Sequence, residues 1–131
     1  MAEEPSLLHR RHYTLDEANA ALDEVRPILL ALREARDRLT DLELHELLSD
    51  AAPGNGGGDA GRRVGEAFLE VRDLLADLEQ RGIVVRDTER GLVDFPALRE
   101  GREVYLCWEL GEGEIAYWHE LDAGYGGREP L

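Results

Sequence analysis

The sequence predicts an α+β fold: a long antiparallel helical hairpin followed by a small antiparallel sheet of three or four strands packed on the first helix. Three observations carry this. Apolar residues recur with a period near 3.6 from Ala18 to Leu39 and again from Val64 to Leu78. The glycine-rich stretch APGNGGGDAG separates the two runs, and a segment of that composition interrupts a helix and lets the chain fold back. After Gly82 the apolar period changes to two, as in strands with one buried face. At 131 residues the chain suffices for one domain with a modest core.

Residues 1–12 show no periodic pattern and read as a loose N-terminus. Thr14-Leu15-Asp16-Glu17 is a capping box, in which the threonine hydroxyl and the glutamate carboxylate each take a backbone N–H. It predicts helix one over 14–49, with Ala18, Ala21, Leu22, Val25, Ile28, Leu29, Leu32 and Leu39 on one face. Pro27 removes one hydrogen bond, yet the stripe passes through it in phase, which predicts a kink rather than a break. A flexible loop follows at 52–61. Helix two is expected over 60–81, with Val64, Ala67, Phe68, Val71, Leu74, Leu75 and Leu78 as its stripe and Gly82 closing it.

Lengths set a constraint. Helix one, rising ~1.5 Å per residue, spans roughly 50 Å, and a shorter partner folding back covers only its distal part. The apolar face from Leu15 to Leu29 therefore needs the strands, or a second subunit, to cover it.

Strands are expected within 83–119. Ile83 to Val85 turns back into Leu92–Phe95, Pro96 to Gly101 reads as a helical turn, and Arg102 to Leu110 alternates. Val104, Leu106, Trp108 and Leu110 fall on one side of that strand, Tyr105 and Cys107 on the other. Gly111-Glu112-Gly113 leads by a hairpin to a last strand, where Ile115, Tyr117 and His119 share a face. A connecting loop of two or four residues joins His119 to Leu106 and Trp108, and a loop of three joins it to Tyr105 and Cys107. The sequence leaves both open. Residues 120–131 form a Gly-rich tail.

Composition excludes several chemistries. With 29 acids against 15 bases the net charge is −14, which disfavours direct binding to nucleic acid or to anionic membranes. All the bases are arginine. Without lysine there is no Schiff base to pyridoxal phosphate and no Walker-type nucleotide loop. Cys107 is the only cysteine, so no intrachain disulfide and no paired-cysteine zinc motif can form. No start resembling a signal peptide and no run of ~20 apolar residues is present, and the expected location is the cytoplasm.

The candidate site lies at the end of the chain. His119 stands beside Glu120 and Asp122. A divalent metal or proton site would use His119 as ligand or base, with Asp122 orienting it and Asp94 adding a second carboxylate if its strand lies alongside, although no HExxH-like motif supports it. Asp94 sits inside an apolar strand and needs a cation, with Arg90, Arg102 or Arg128 available. The tail Asp122–Arg128 could form a backbone nest with Arg128 as the fork and Tyr125 alongside. Cys107 with His119 would spell a nucleophile–base pair, but buried strand cysteines are ordinarily inert. Each of these residues also has a plain structural use, as an ion pair, a turn or a core contact.

YTLDEANAALDEVRPIL near the start and GLVDFPALREGREVYLCWELGEGEIAYWHELDAGYGGREP at the end resemble the bacterial domain of unknown function family 2203. The resemblance covers nearly the whole chain except the Gly loop and the first dozen residues. It implies a small cytosolic prokaryotic protein with no assigned activity, and no catalytic residue carries over. It singles out Asp94, Trp108, His119, Asp122 and Arg128, which lie in its recognisable strings. Two readings of function follow. One is a non-enzymatic interaction or regulatory module that self-associates as a homodimer through its helix faces, where Leu30, Leu44 and Leu48 form a second stripe. The other is a small metal-binding protein or enzyme centred on His119.

Overall fold

The computed structural model of the chain describes residues 7–49 and 58–131. The first half of the N-terminal stretch and most of the expected Gly loop lie outside them. The elements are α1 (Leu15–Ser49), α2 (Gly58–Gln80), and strands β1 (Val84–Asp87), β2 (Leu92–Arg99), β3 (Arg102–Glu109), β4 (Tyr117–Glu120) and β5 (Glu129–Pro130). The fold is α+β, with the strands forming one antiparallel sheet in the order β1-β2-β3-β4-β5.

Local chemistry sets the helix ends. The Thr14 N–H donates to Glu17 Oε1 at 2.9 Å and the Glu17 N–H donates to Thr14 Oγ1 at 3.1 Å, completing the capping box. These bonds hold the Glu17 carboxyl below its ordinary value. α1 runs unbroken through Pro27. α2 ends in a Schellman motif: the Ile83 N–H reaches the Leu78 carbonyl at 3.0 Å and the Gly82 N–H reaches that of Glu79 at 2.9 Å. The helices run antiparallel, tied by Arg38–Glu70 near the middle and by Arg81–Glu24 at the base.

The sheet covers the proximal half of α1, the first of the two covers that the length argument left open. Val93, Phe95, Ala97, Val104, Leu106, Trp108 and Trp118 turn inward onto Ala18, Leu22, Val25, Leu29 and Leu32. Farther out the hairpin is thinly packed. No described residue of α1 beyond Ala35 is buried, and a cavity of about 380 Å³ lies at the seam of the helices, lined by Leu42 and Ala67 among others. Phe68, expected on the inner stripe, is 56 % exposed. Ala67 and Leu78 are buried and Val71 and Leu74 partly so, at spacings of four, three and four, and Phe68 lies one position off that line.

Four further expectations are corrected. The sheet has five strands, because the Gly-rich tail turns through a 3-10 helix at Tyr125–Gly127 and adds β5 to β4. Pro96 lies within β2 and not in a helical turn. Its carbonyl accepts the Tyr13 N–H at 2.7 Å, so the side lacking a donor faces away from β3, where no ladder bond is needed. The reversal to β3 is made by Glu100 and Gly101, at φ of 53° and 78°. Ile115 precedes β4 and packs into the core, while its N–H donates to Asn19 Oδ1 at 2.8 Å. Residues 8–12, read as loose, are strapped to the sheet: the Leu8 and His9 N–H groups both donate to the Glu103 carboxylate, at 2.8 and 2.9 Å.

Gly91 joins β1 to β2 with φ of 65°, and a Cβ there would run into the Leu110 side chain. Gly91→Ala is therefore expected to cost about 1–3 kcal/mol, read as a lower urea midpoint at unchanged slope.

Candidate functional site

Alternation along the strands sends one set of side chains to the inner core and the other to the outer face of the sheet. The outer set is polar. Register places Asp94 opposite Cys107 and Tyr105 opposite His119. Asp94, Glu103 and His119, the buried charged or ionisable polar side chains among the described residues, all lie on this face. The strap at 8–12 and the tail after β4 cover it, and no buried side-chain N or O atom among the described residues lacks a hydrogen-bond partner.

His119 sits at the centre. Its Nδ1 lies 2.7 Å from the Glu120 carbonyl, which only accepts, so Nδ1 carries a proton. Its Nε2 lies 2.9 Å from Asp94 Oδ1, and the other Asp94 oxygen accepts from Arg86 Nε at 2.8 Å. A neutral ring protonated at Nδ1 would turn a lone pair toward a carboxylate oxygen. One further proton, on Nε2 or on Oδ1, must lie between them. The pair is built to hold a proton out of water, with Arg86 balancing the carboxylate.

Arg86 owes its position to a β-bulge. Val85 pairs with Val93 and Asp87 with Leu92, leaving Arg86 as the extra residue. Its guanidinium stands 5.0 Å over the Tyr105 ring. The Tyr105 hydroxyl lies 2.6 Å from His9 Nε2. Burial pushes the Cys107 thiol up to about 11, Asp94's charge adds to this, and Arg128 opposes it. Burial of this kind favours the protonated thiol and counts against the nucleophile–base reading with His119.

A cavity of about 240 Å³ opens beside the pair, lined by Arg86, Leu92, Asp94, Cys107 and His119 and roofed by the tail at Leu121, Asp122, Gly124 and Tyr125. Of the residues singled out in the sequence, Asp94 and His119 meet directly. Asp122 stays exposed at the rim, and Asp94 takes its expected place as the carboxylate partner of His119. Tyr125 stands at the rim between the guanidinium groups of Arg90 and Arg128, at 4.2 and 4.3 Å. The Arg128 fork is occupied by Glu112, at 3.1 and 3.0 Å. In the tail the N–H groups of Ala123, Gly127 and Arg128 donate to the carbonyls of Glu120, Gly124 and Tyr125. Trp108 belongs to the inner core, fully buried, with its Nε1–H on the Gly113 carbonyl at 2.9 Å. Asp94 is balanced by Arg86 and by none of the arginines expected for it.

The family model described as Uncharacterized conserved protein (DUF2203) matches residues 11–131. The chain belongs to the DUF2203 family. Comparison with curated proteins and with solved structures returns no match. The DUF2203 match contains every residue lining the cavity, whereas Leu8 and His9 of the strap lie outside it. No helix among the described residues is long and apolar enough to cross a membrane.

Glu103 gives the strap a pH dependence. Burial acts to raise its carboxyl, but bonds from His12 and from the Leu8 and His9 N–H groups outweigh this and hold it below the ordinary carboxylate range. A depressed folded value contributes stability that is complete above the unfolded value of about 4.3 and is lost as pH falls through the folded one. Glu103→Gln is expected to lower stability at pH 7 and to flatten the loss below about pH 4.5, measured by urea unfolding across that window.

Proposed function

We propose that this DUF2203 protein binds a small polar ligand in the outer-face cavity and exchanges a proton with it through the His119–Asp94 pair. The observation that carries this is the pair itself: two nearly inaccessible groups in hydrogen-bond contact at 2.9 Å, backed by a guanidinium, at the wall of a cavity. Structural ion pairs in small proteins mostly lie at the surface, and burying one is costly unless it is fully bonded. The cavity, at about 240 Å³, is below the ~300–1,000 Å³ of drug-sized sites and suits a small metabolite. A fragment screen by NMR tests this. Hits should shift His119 and Tyr125 together and disappear in His119→Gln; hits confined to other surfaces would count against the proposal.

A second reading, self-association through the helices, draws on the distal hairpin. Leu44, Leu47 and Leu48 on α1 and Phe68 and Leu69 on α2 are all exposed there, while the proximal face that first suggested a dimer is covered by the sheet. Light scattering after gel filtration tests it. Dimers weakened by Phe68→Ser would support this reading, and a strict monomer at high micromolar concentration would oppose it.

A further inference from the structure

Three donor atoms of different chemistry converge at the wall of the cavity. A ring nitrogen of His119, a carboxylate oxygen of Asp94 and Cys107 Sγ lie within 4.8 Å of one another, and all three residues are buried. We propose that His119, Asp94 and Cys107 form a binding site for a transition-metal ion of the zinc class, with the fourth coordination position facing the cavity. This rests on the reading above that the cavity binds a small ligand. In the loaded protein the ion takes the place of the proton between His119 and Asp94, so that exchange with a ligand passes to the open coordination position.

The supporting bonds are those a metal site uses. The Nδ1–H of His119 is anchored on the Glu120 carbonyl, which aims the Nε2 lone pair inward, and Arg86 fixes Asp94 through its other oxygen. The donor set discriminates among metals. Magnesium and calcium take oxygen ligands, whereas nitrogen, oxygen and sulfur together suit zinc, cobalt and their neighbours. Distances agree: with bonds of about 2.0 Å at the tetrahedral angle, Nε2 and the carboxylate oxygen would stand ~3.3 Å apart. They stand at 2.9 Å, so this pair opens by a few tenths of an ångström, and Cys107 Sγ, within 4.8 Å of both, closes to the ~3.5 Å that a bond of about 2.3 Å to sulfur sets.

Charge and protons balance as well. A divalent ion with one thiolate and one carboxylate is neutral, while Arg86 stays on Asp94 and Arg128 on Glu112. On binding, the proton between His119 and Asp94 and the proton of the Cys107 thiol both leave to solvent. Leu92, Leu121 and Gly124 border the open position and leave room for a water molecule or a small ligand donor.

The test is a cobalt(II) titration of the full-length protein, kept reduced with a phosphine. The expected result is one equivalent bound, with a thiolate-to-cobalt band in the near ultraviolet and visible bands of tetrahedral intensity. Zinc should displace the cobalt. Cys107→Ser should remove the near-ultraviolet band, and His119→Gln should weaken binding at least about 100-fold, more than losing a supporting residue costs. Asp122→Asn should keep the spectrum. Absence of the band in wild type, its survival in Cys107→Ser, or its loss in Asp122→Asn would each overturn the proposal. Nitrogen-15 spectra of the wild type avoid any folding defect of the variants: zinc should move Nε2 of His119 and leave Nδ1 protonated, and an unmoved Nε2 contradicts the site. A protein that shows no cobalt band but whose His119 still answers fragments would refute the metal and leave the ligand reading intact.

Discussion

Asp94→Ala is expected to destabilise the protein by about 3–5 kcal/mol, the usual cost of removing one partner from a buried charged pair. The cost falls unevenly. Arg86, at 42 % side-chain exposure, can turn to water, whereas His119, at 1 %, is left with Nε2 facing nothing. Asp94→Asn keeps the shape and one hydrogen bond to the ring, so its expected cost is smaller, about 1–2 kcal/mol. Urea unfolding of both variants, with the slope unchanged, would measure the difference. A loss under about 1 kcal/mol for Asp94→Ala would mean that the pair is not held in a dry site.

Trp108→Ala should cost about as much, ~3–5 kcal/mol, for an unrelated reason. Trp108 is the largest fully buried side chain and lies among Val25, Leu29 and Leu106 in the core cluster. Truncation opens a cavity between sheet and helix and leaves the Gly113 carbonyl without its indole donor. Trp108→Phe should recover most of the stability. The two tryptophan variants also separate core from site: Trp108→Phe should leave cobalt and fragment binding unchanged, while Asp94→Asn should weaken both.

Much of the fold was legible because its signals are local. The capping box at Thr14 and the Schellman glycine at Gly82 each involve residues within one turn, and both appear as read. The alternation of Val104, Leu106 and Trp108 likewise marks the inner face without reference to distant residues. The site was half legible. Asp94 and His119 stood out as polar groups in strand patterns, but their meeting depends on register. Register depends on the segment from Leu110 to Ala116, which is not a tight hairpin: Ile115 is held by Asn19, and Gly113 by Trp108 and Arg26. Those contacts join residues up to 96 apart in sequence, and no local pattern encodes them.

Arg86 was hidden for a similar reason, because a one-residue bulge decides where it points. Glu103 looked like an ordinary strand acid until the strap, 91 to 95 residues earlier in the chain, closed over it. Pro96 was misread as a helix start because its carbonyl partner, Tyr13, also lies far away. Phe68 fitted a helical stripe but lies one position off the line of Ala67, Val71, Leu74 and Leu78 that α2 turns inward, and small offsets of that kind are settled by packing rather than by period.

The most direct test of the buried pair is the imidazole nitrogen-15 spectrum of the folded protein, with His119 assigned by its loss in His119→Gln. A proton on Nδ1, slow to exchange because it is bonded to the Glu120 carbonyl, is the predicted result, together with an Nε2 resonance that moves in Asp94→Asn while Nδ1 does not. An Nδ1 without its proton, or a ring exchanging as fast as that of exposed His45, would contradict it.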